Sequence, residues 1–173
     1  MSISNLGELL ILGESTGTLS LSGVEEFHSA INNMARQAKL SIKIFTQELD
    51  HELYDDTEFL RIASDVARNR KNITIRILLK DPASAARRGH RMVELQRRLP
   101  SCIEIRSFPL EIIEDMDEFM LVDNIGMVKR YTHGHMRGHC EFRAIPDAAK
   151  KARYFDGIWE RAEPCQELRR LTP

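Results

Sequence analysis

Between residues 22 and 107 the apolar positions of this chain switch repeatedly between a spacing of three to four and a spacing of two. Few folds accept such a chain, because an amphipathic helix and a half-buried strand each need another layer to cover the apolar face. Val24, Phe27, Ile31, Met34 and Ala38 recur at helical spacing, and Ser22 stands three residues before Glu25 as in a capping box, so a first helix is predicted over 24–38. Ser41–Leu49 reads as a strand from the alternation Ile42, Lys43, Ile44. A polar loop, 50–56, follows; Asp55 precedes Glu58 by three and is expected to cap a second helix that buries Phe59, Ile62, Ala63, Val66 and Ala67. Ile73–Leu79 is nearly all apolar, as a central strand must be. Asp81-Pro82 opens a single third helix whose buried face is Met92, Leu95 and Leu99, and Cys102–Ser107 is the next strand. Helices and strands in strict alternation imply parallel strands joined by right-handed crossovers.

The rhythm then changes. Phe119–Val122, Met127–Tyr131 and His139–Arg143 read as strands with no helix between them, so antiparallel hairpins are expected. Asp123 closes the first of these and is expected to cap the turn at Asn124-Ile125-Gly126. Pro146-Asp147 opens a last helix carrying Ala148, Ala152, Phe155, Trp159 and Ala162 on one face, and Pro164 ends it. Residues 1–22 are expected to form an N-terminal arm with one or two short strands, and 23–173 one domain; 173 residues suffice for a single core. The fold class that follows is α/β, a three-layer α/β/α sandwich around a mixed sheet.

A formal net charge of -1 excludes a global electrostatic footprint for nucleic acid, so any such contact must come from a local patch. Three cysteines, Cys102, Cys140 and Cys165, form an odd and widely spaced set; that argues against a disulfide framework and for a reducing cytoplasm. The apolar run Leu9–Leu12 is far too short to span a membrane, so no membrane partner is expected.

Candidate site residues concentrate after the hairpin turn. His133, His135, His139 and Cys140 are dense enough to hold zinc if His133 and His135 share a strand face. Gly134 and Gly138 point instead to a turn with ordinary surface histidines, and the expectation is no metal and no cofactor. Arg130, His133, His135 and Arg137 could form an anion site, since the guanidinium fork matches phosphate. Arg87, Arg91 and Arg98 of the third helix, at spacings of four and seven, make a basic stripe suited to a nucleic-acid backbone. No aromatic residues interleave with them, so base stacking is not indicated there. Asp115, Asp117, Glu118 and Asp123 form an acidic cluster, but strand alternation puts Asp117 and Glu118 on opposite faces.

In its order of elements the chain resembles one half of the phospholipase D superfamily. The signature of that family is His-x-Lys, four residues, then Asp, with Gly-Ser-x-Asn on the following strand. Aligned on Asp123, this sequence has Met116 at the His position and Glu118 at the Lys position, and Arg130-Tyr131-Thr132-His133 where the Gly-Ser-x-Asn group falls. The resemblance implies the sandwich fold and a groove at the C-terminal ends of the strands. It also implies that the family's chemistry is absent, because a thioether cannot replace the histidine nucleophile and Glu118 repels phosphate where lysine would attract it. Two like charges at about 4 Å cost roughly 1 kcal/mol in water and several times more near a protein surface. Intact single-half members pair their sites, which implies a homodimer. The expected function is a non-catalytic binding or regulatory module for a phosphate-bearing ligand such as nucleic acid. The alternatives are a protein–protein adaptor and a phosphodiester hydrolase using His133, His135 and His139.

Overall fold

A computed structural model describes residues 10–108 and 117–169. Met116, Asp115 and residues 1–9 of the expected arm lie outside the described residues. In chain order the elements are β1 (Leu19–Ser22), α1 (Val24–Arg36), β2 (Ser41–Thr46), α2 (His51–Tyr54), α3 (Thr57–Asn69), β3 (Thr74–Leu79), α4 (Pro82–Arg88), α5 (Arg91–Arg98) and β4 (Ile103–Ser107). There follow β5 (Glu118–Val122), β6 (Gly126–Arg130), β7 (Arg137–Glu141), α6 (Asp147–Trp159), β8 (Glu163–Pro164) and α7 (Gln166–Arg169).

The eight strands of the described residues form one mixed sheet in the order β1-β7-β6-β5-β2-β3-β4-β8. β2, β3 and β4 run parallel, as helix–strand alternation predicts, and every other pairing is antiparallel. The sheet is covered on both faces. Ile42, Ile44, Ile75, Ile77, Met120 and Val122 join the buried faces of α1, α3 and α5 in the larger core. Alternate residues of the same strands, Phe45, Leu78, Phe119 and Leu121, face the other way and pack with Ala148, Ala152, Phe155 and Trp159 of α6. The predicted α/β/α sandwich is therefore observed, and Phe119–Val122 is buried on both faces.

Several local expectations are corrected. The cap of α1 is Gly23, at φ 90°, so the residue that reaches back is Glu26 rather than Glu25, accepting from the Ser22 amide at 2.6 Å. Asp56, not Asp55, caps α3 by accepting from Phe59 N at 3.0 Å. The expected loop 50–56 contains α2, started by Asp50, which accepts from Glu52 N at 2.8 Å. The single third helix is two helices. Gly89, at φ 69°, ends α4, and His90 starts α5 by accepting the Met92 amide on Nδ1 at 3.1 Å. Strand β7 begins at Arg137, two residues before the expected His139. Gly138 lies against β6 so closely that a Cβ there would sit 1.8 Å from the Lys129 carbonyl oxygen, a contact only glycine permits. Within the expected arm, β1 pairs with β7 and buries Leu21 in the core.

Candidate functional site

The strand directions bring the ends of β2, β3, β4 and β6 and the start of β5 to one edge of the sheet. That is the edge at which α/β sheets commonly bind ligands. Glu118 opens β5 there with its side chain turned into the larger core, and it is buried. Its Oε1 accepts from the Gln47 amide at 2.7 Å and from Thr46 Oγ1 at 3.1 Å. Directly opposite in the ladder stands Arg130, only 2% exposed. Arg130 Nε lies 3.0 Å from Glu118 Oε2, off the line of a hydrogen bond, so this contact is an ion pair only. Arg130 Nη1 donates to Asp50 Oδ2 at 2.9 Å.

His133 extends the network outward. Its Nδ1 lies 3.1 Å from Arg130 Nη2 and 3.2 Å from Glu118 Oε1, and its Nε2 is 3.0 Å from Glu48 Oε1. Glu48 also accepts from Ser84 Oγ at 2.7 Å. This hydrogen bond holds the Glu48 carboxyl below its ordinary pKa, against the opposing cost of burial, with His133 adding to the lowering. Tyr54 lies beside the pair, and burial, reinforced by the Glu118 charge, raises its phenol well above the usual value. The open part of the edge is a pocket of about 160 Å³ lined by Glu48, Asp50, His51, Glu52, Ser84 and Arg88.

These contacts revise the expected anion site. Arg130 is buried and faces two carboxylates, so it is not available to a phosphate. His133 turns inward, whereas His135 is exposed in the β6–β7 loop and Arg137 is exposed on β7 beside β1. The four residues do not converge. Nor do the histidines and Cys140: His139 accepts or donates to Tyr131 through Nδ1 at 2.8 Å, and Cys140 points into the larger core. Among the described residues no group of three or more His, Cys, Asp or Glu side chains is arranged to hold a metal ion. Burial raises the Cys140 thiol to about 12, which leaves it protonated and unreactive at neutral pH.

Asp123 lies at the opposite end of β5 from this edge. It adopts φ 54° and accepts from the amides of Lys39, Leu40 and Ser41, the shortest at 2.7 Å. Asp123 thus braces the entry to β2 rather than capping its own turn, which closes through the Ile125 amide on the Val122 carbonyl. Asp117, on the other face from Glu118 as alternation requires, pairs with Lys129 at 2.9 Å. The basic stripe is broken by the α4–α5 junction. Arg91 is held by Asp55, at 2.6 Å from both its carboxylate and its carbonyl oxygen, while Arg87 and Arg98 remain exposed. Charge bookkeeping along the chain was a signal missed by motif reading: residues 61–106 hold 12 Lys and Arg against 4 Asp and Glu, in a chain with 25 and 26 overall.

Taken together, the mixed sheet and its two helical layers define an α/β/α sandwich with a phospholipase-D-like fold. Nuc from Salmonella typhimurium, a phospholipase D family member, superposes with a TM-score of 0.59 at 13% identity, over 87% of this chain and 97% of Nuc. NucT from Helicobacter pylori superposes with 0.61 at 8% identity, over 87% of this chain and all of NucT. TrmBL2, an archaeal chromatin protein with a novel mode of DNA binding, superposes with 0.62 at 11% identity. That match takes in 94% of this chain, which spans only 59% of TrmBL2. By sequence, residues 23–171 match the family described as a domain of unknown function, DUF7931, and the chain belongs to that family. No curated protein matches it. Among the described residues no helix is long and apolar enough to cross a membrane.

Proposed function

We propose that the chain is a non-catalytic phospholipase-D-like module that binds nucleic acid on the side formed by α3, α4 and α5. The observation that carries this reading is the division of charge. The 12 cations of residues 61–106 include Arg68, Arg70, Lys71, Arg87, Arg88 and Arg98, all exposed. The rest of the chain holds 13 Lys and Arg against 22 Asp and Glu. A surface so polarised attracts a polyanion from one direction, whatever the net charge. That TrmBL2, a chromatin protein with a novel mode of DNA binding, contains a similar fold over 59% of its length supports the reading.

The non-catalytic half of the reading is supported by what the resemblance puts at the family's active position. Glu118 occupies the lysine's place, and its charge is spent on Arg130 and on the β2 end. Glu48, Asp50 and Glu52 line the neighbouring pocket against one free guanidinium, so a phosphodiester meets net repulsion there.

Fluorescence anisotropy with a labelled oligonucleotide tests the binding. For roughly four phosphate contacts, affinity for a single strand should fall about thirty- to a hundred-fold between about 50 and 200 mM salt. No binding at the lower salt, or binding indifferent to salt, refutes the reading. Turnover of bis(p-nitrophenyl) phosphate that disappears in His133→Ala refutes its non-catalytic half. Pairing of two copies, which the resemblance implies, belongs to the same proposal and is tested by light scattering on the purified protein.

A further inference from the structure

Splitting the expected third helix leaves a groove at the α4–α5 junction. It has a volume of about 340 Å³, and Arg87, Arg88, His90, Glu94 and Arg97 are among its lining residues. Three guanidinium groups thus face one carboxylate. Among the described residues Arg87 makes no hydrogen bond or ion pair, and Arg88 makes none beyond its charge interaction with Glu48, so the donors of both forks are open to a ligand. Arg97 donates one Nη2 hydrogen to the Leu168 carbonyl, which fixes the side chain and leaves its other donors available. Gly89, the turning point, has open space where a side chain would begin. Arg88 also lines the acidic pocket, so it stands on the border between the repelling edge and the attracting groove.

The placement of the cations indicates the ligand. Arg87 and Arg88 end α4, whereas Arg97 stands in the last turn of α5, across the bend at Gly89. Cations carried by two helices offer separate places for phosphate, which suits a chain of phosphates better than one phosphoryl group. We propose that this groove holds successive phosphates of a nucleic-acid strand, the Arg87–Arg88 pair taking one and Arg97 another. The inference rests on the nucleic-acid reading above and assigns it a place.

The test compares two variants of the full chain that lose the same charge. Arg87→Ala/Arg88→Ala empties one end of the groove; Arg143→Ala/Arg153→Ala removes two exposed cations elsewhere. With a labelled single-stranded oligonucleotide, the groove variant should lose at least about ten-fold in affinity, and its salt slope should shrink by about 0.7, the value for one phosphate contact. The control variant should lose less than about three-fold, and both should keep the circular dichroism of the unsubstituted protein. Equal losses in the two variants, or no loss in the groove variant while the unsubstituted protein binds, overturn the groove and leave the nucleic-acid reading standing. No binding by the unsubstituted protein overturns both. A mononucleotide that displaces the oligonucleotide at equal phosphate concentration overturns the successive-phosphate assignment in favour of a single-phosphate site.

Discussion

His90 is the residue whose ionisation the fold controls most directly. It is only 5% exposed, its Nδ1 is committed to the Met92 amide, and its ring lies 4.8 Å from that of His51. Burial lowers its pKa from 6.5 to about 4. The charges of His51 and Arg91 push the same way, and Asp55 and the Leu49 carbonyl oppose them. Below 6.5 the unfolded chain takes up a proton that the folded chain refuses, so stability falls as pH drops from 6.5 to about 4, and is flat in this term above and below. A shift of that size corresponds to about 3 kcal/mol at most. For a domain of this length that is about 6–12 °C in Tm. His90→Asn isolates the effect, because asparagine is a good N-cap and keeps an acceptor for the Met92 amide while removing the titration. Urea denaturation at about pH 7 and pH 4 reads the result. The substitution should change stability little at pH 7 and gain about 2–3 kcal/mol on the parent at pH 4. A parent and a variant that lose the same stability over that window would show that His90 does not titrate as its burial requires.

Other substitutions probe the brace, the ladder and the buried pair. Gly138→Ala should cost about 3 kcal/mol or prevent folding, because the Cβ would lie 1.8 Å from the Lys129 carbonyl oxygen and the β6–β7 ladder would have to open. Thermal melting of the purified variant checks it. Asp123→Asn keeps a residue that tolerates φ 54° but weakens acceptance from three amides, for about 1 kcal/mol; Asp123→Ala loses the acceptor and adds left-handed strain, for about 3 kcal/mol. Neither should alter nucleic-acid affinity, and a selective loss of binding in either variant would contradict the purely structural role. Arg130→Met should cost about 3–5 kcal/mol, because Glu118 and Asp50 would be left without their cation, and adding Glu118→Gln should recover part of that loss. A double variant no more stable than the single one would mean that the two side chains do not act as a pair.

The architecture was legible because it rests on periodicity. The buried stripes of α1 and α3, the apolar β3 and the doubly buried β5 are all written as spacing, and spacing is enough to order layers. The junction inside the third helix was less visible, because Arg87 to Arg98 carries an acceptable helical pattern. What ends α4 is the left-handed conformation of Gly89, and a lone glycine in a helical pattern marks only a modest cost. The start of β7 was misplaced for a related reason: Gly138 reads as a turn, yet it is a strand residue because β6 approaches too closely for a side chain. The site was half legible. That Glu118 falls at the signature's lysine position is what the resemblance implies, from one alignment point. That Arg130 neutralises it could not be read from the sequence, because the pairing depends on a register that brings residues 12 apart in sequence face to face. Glu48, Asp50 and Ser84 joined the network with no sequence signal beyond their position after strands.

The register also explains why the arginine expected to hold a phosphate is the one least able to. A buried glutamate with no counter-ion carries a penalty of several kcal/mol, and only a cation within reach on a neighbouring element relieves it. Arg130 is that cation, directly across the ladder, and Asp50 and His133 occupy its remaining donors. With Glu118 buried at the start of β5, the nearest arginine is committed to the fold and lost to ligands. Attraction for a polyanion then has to come from cations that are not tied up in hydrogen bonds; Arg87, outside the acidic pocket, and Arg88, on its border, meet that condition. The acidic edge and the basic groove thus have one physical origin: carboxylates gathered at the sheet edge capture Arg130, and the surface left to bind phosphate begins at Arg88, where their reach ends.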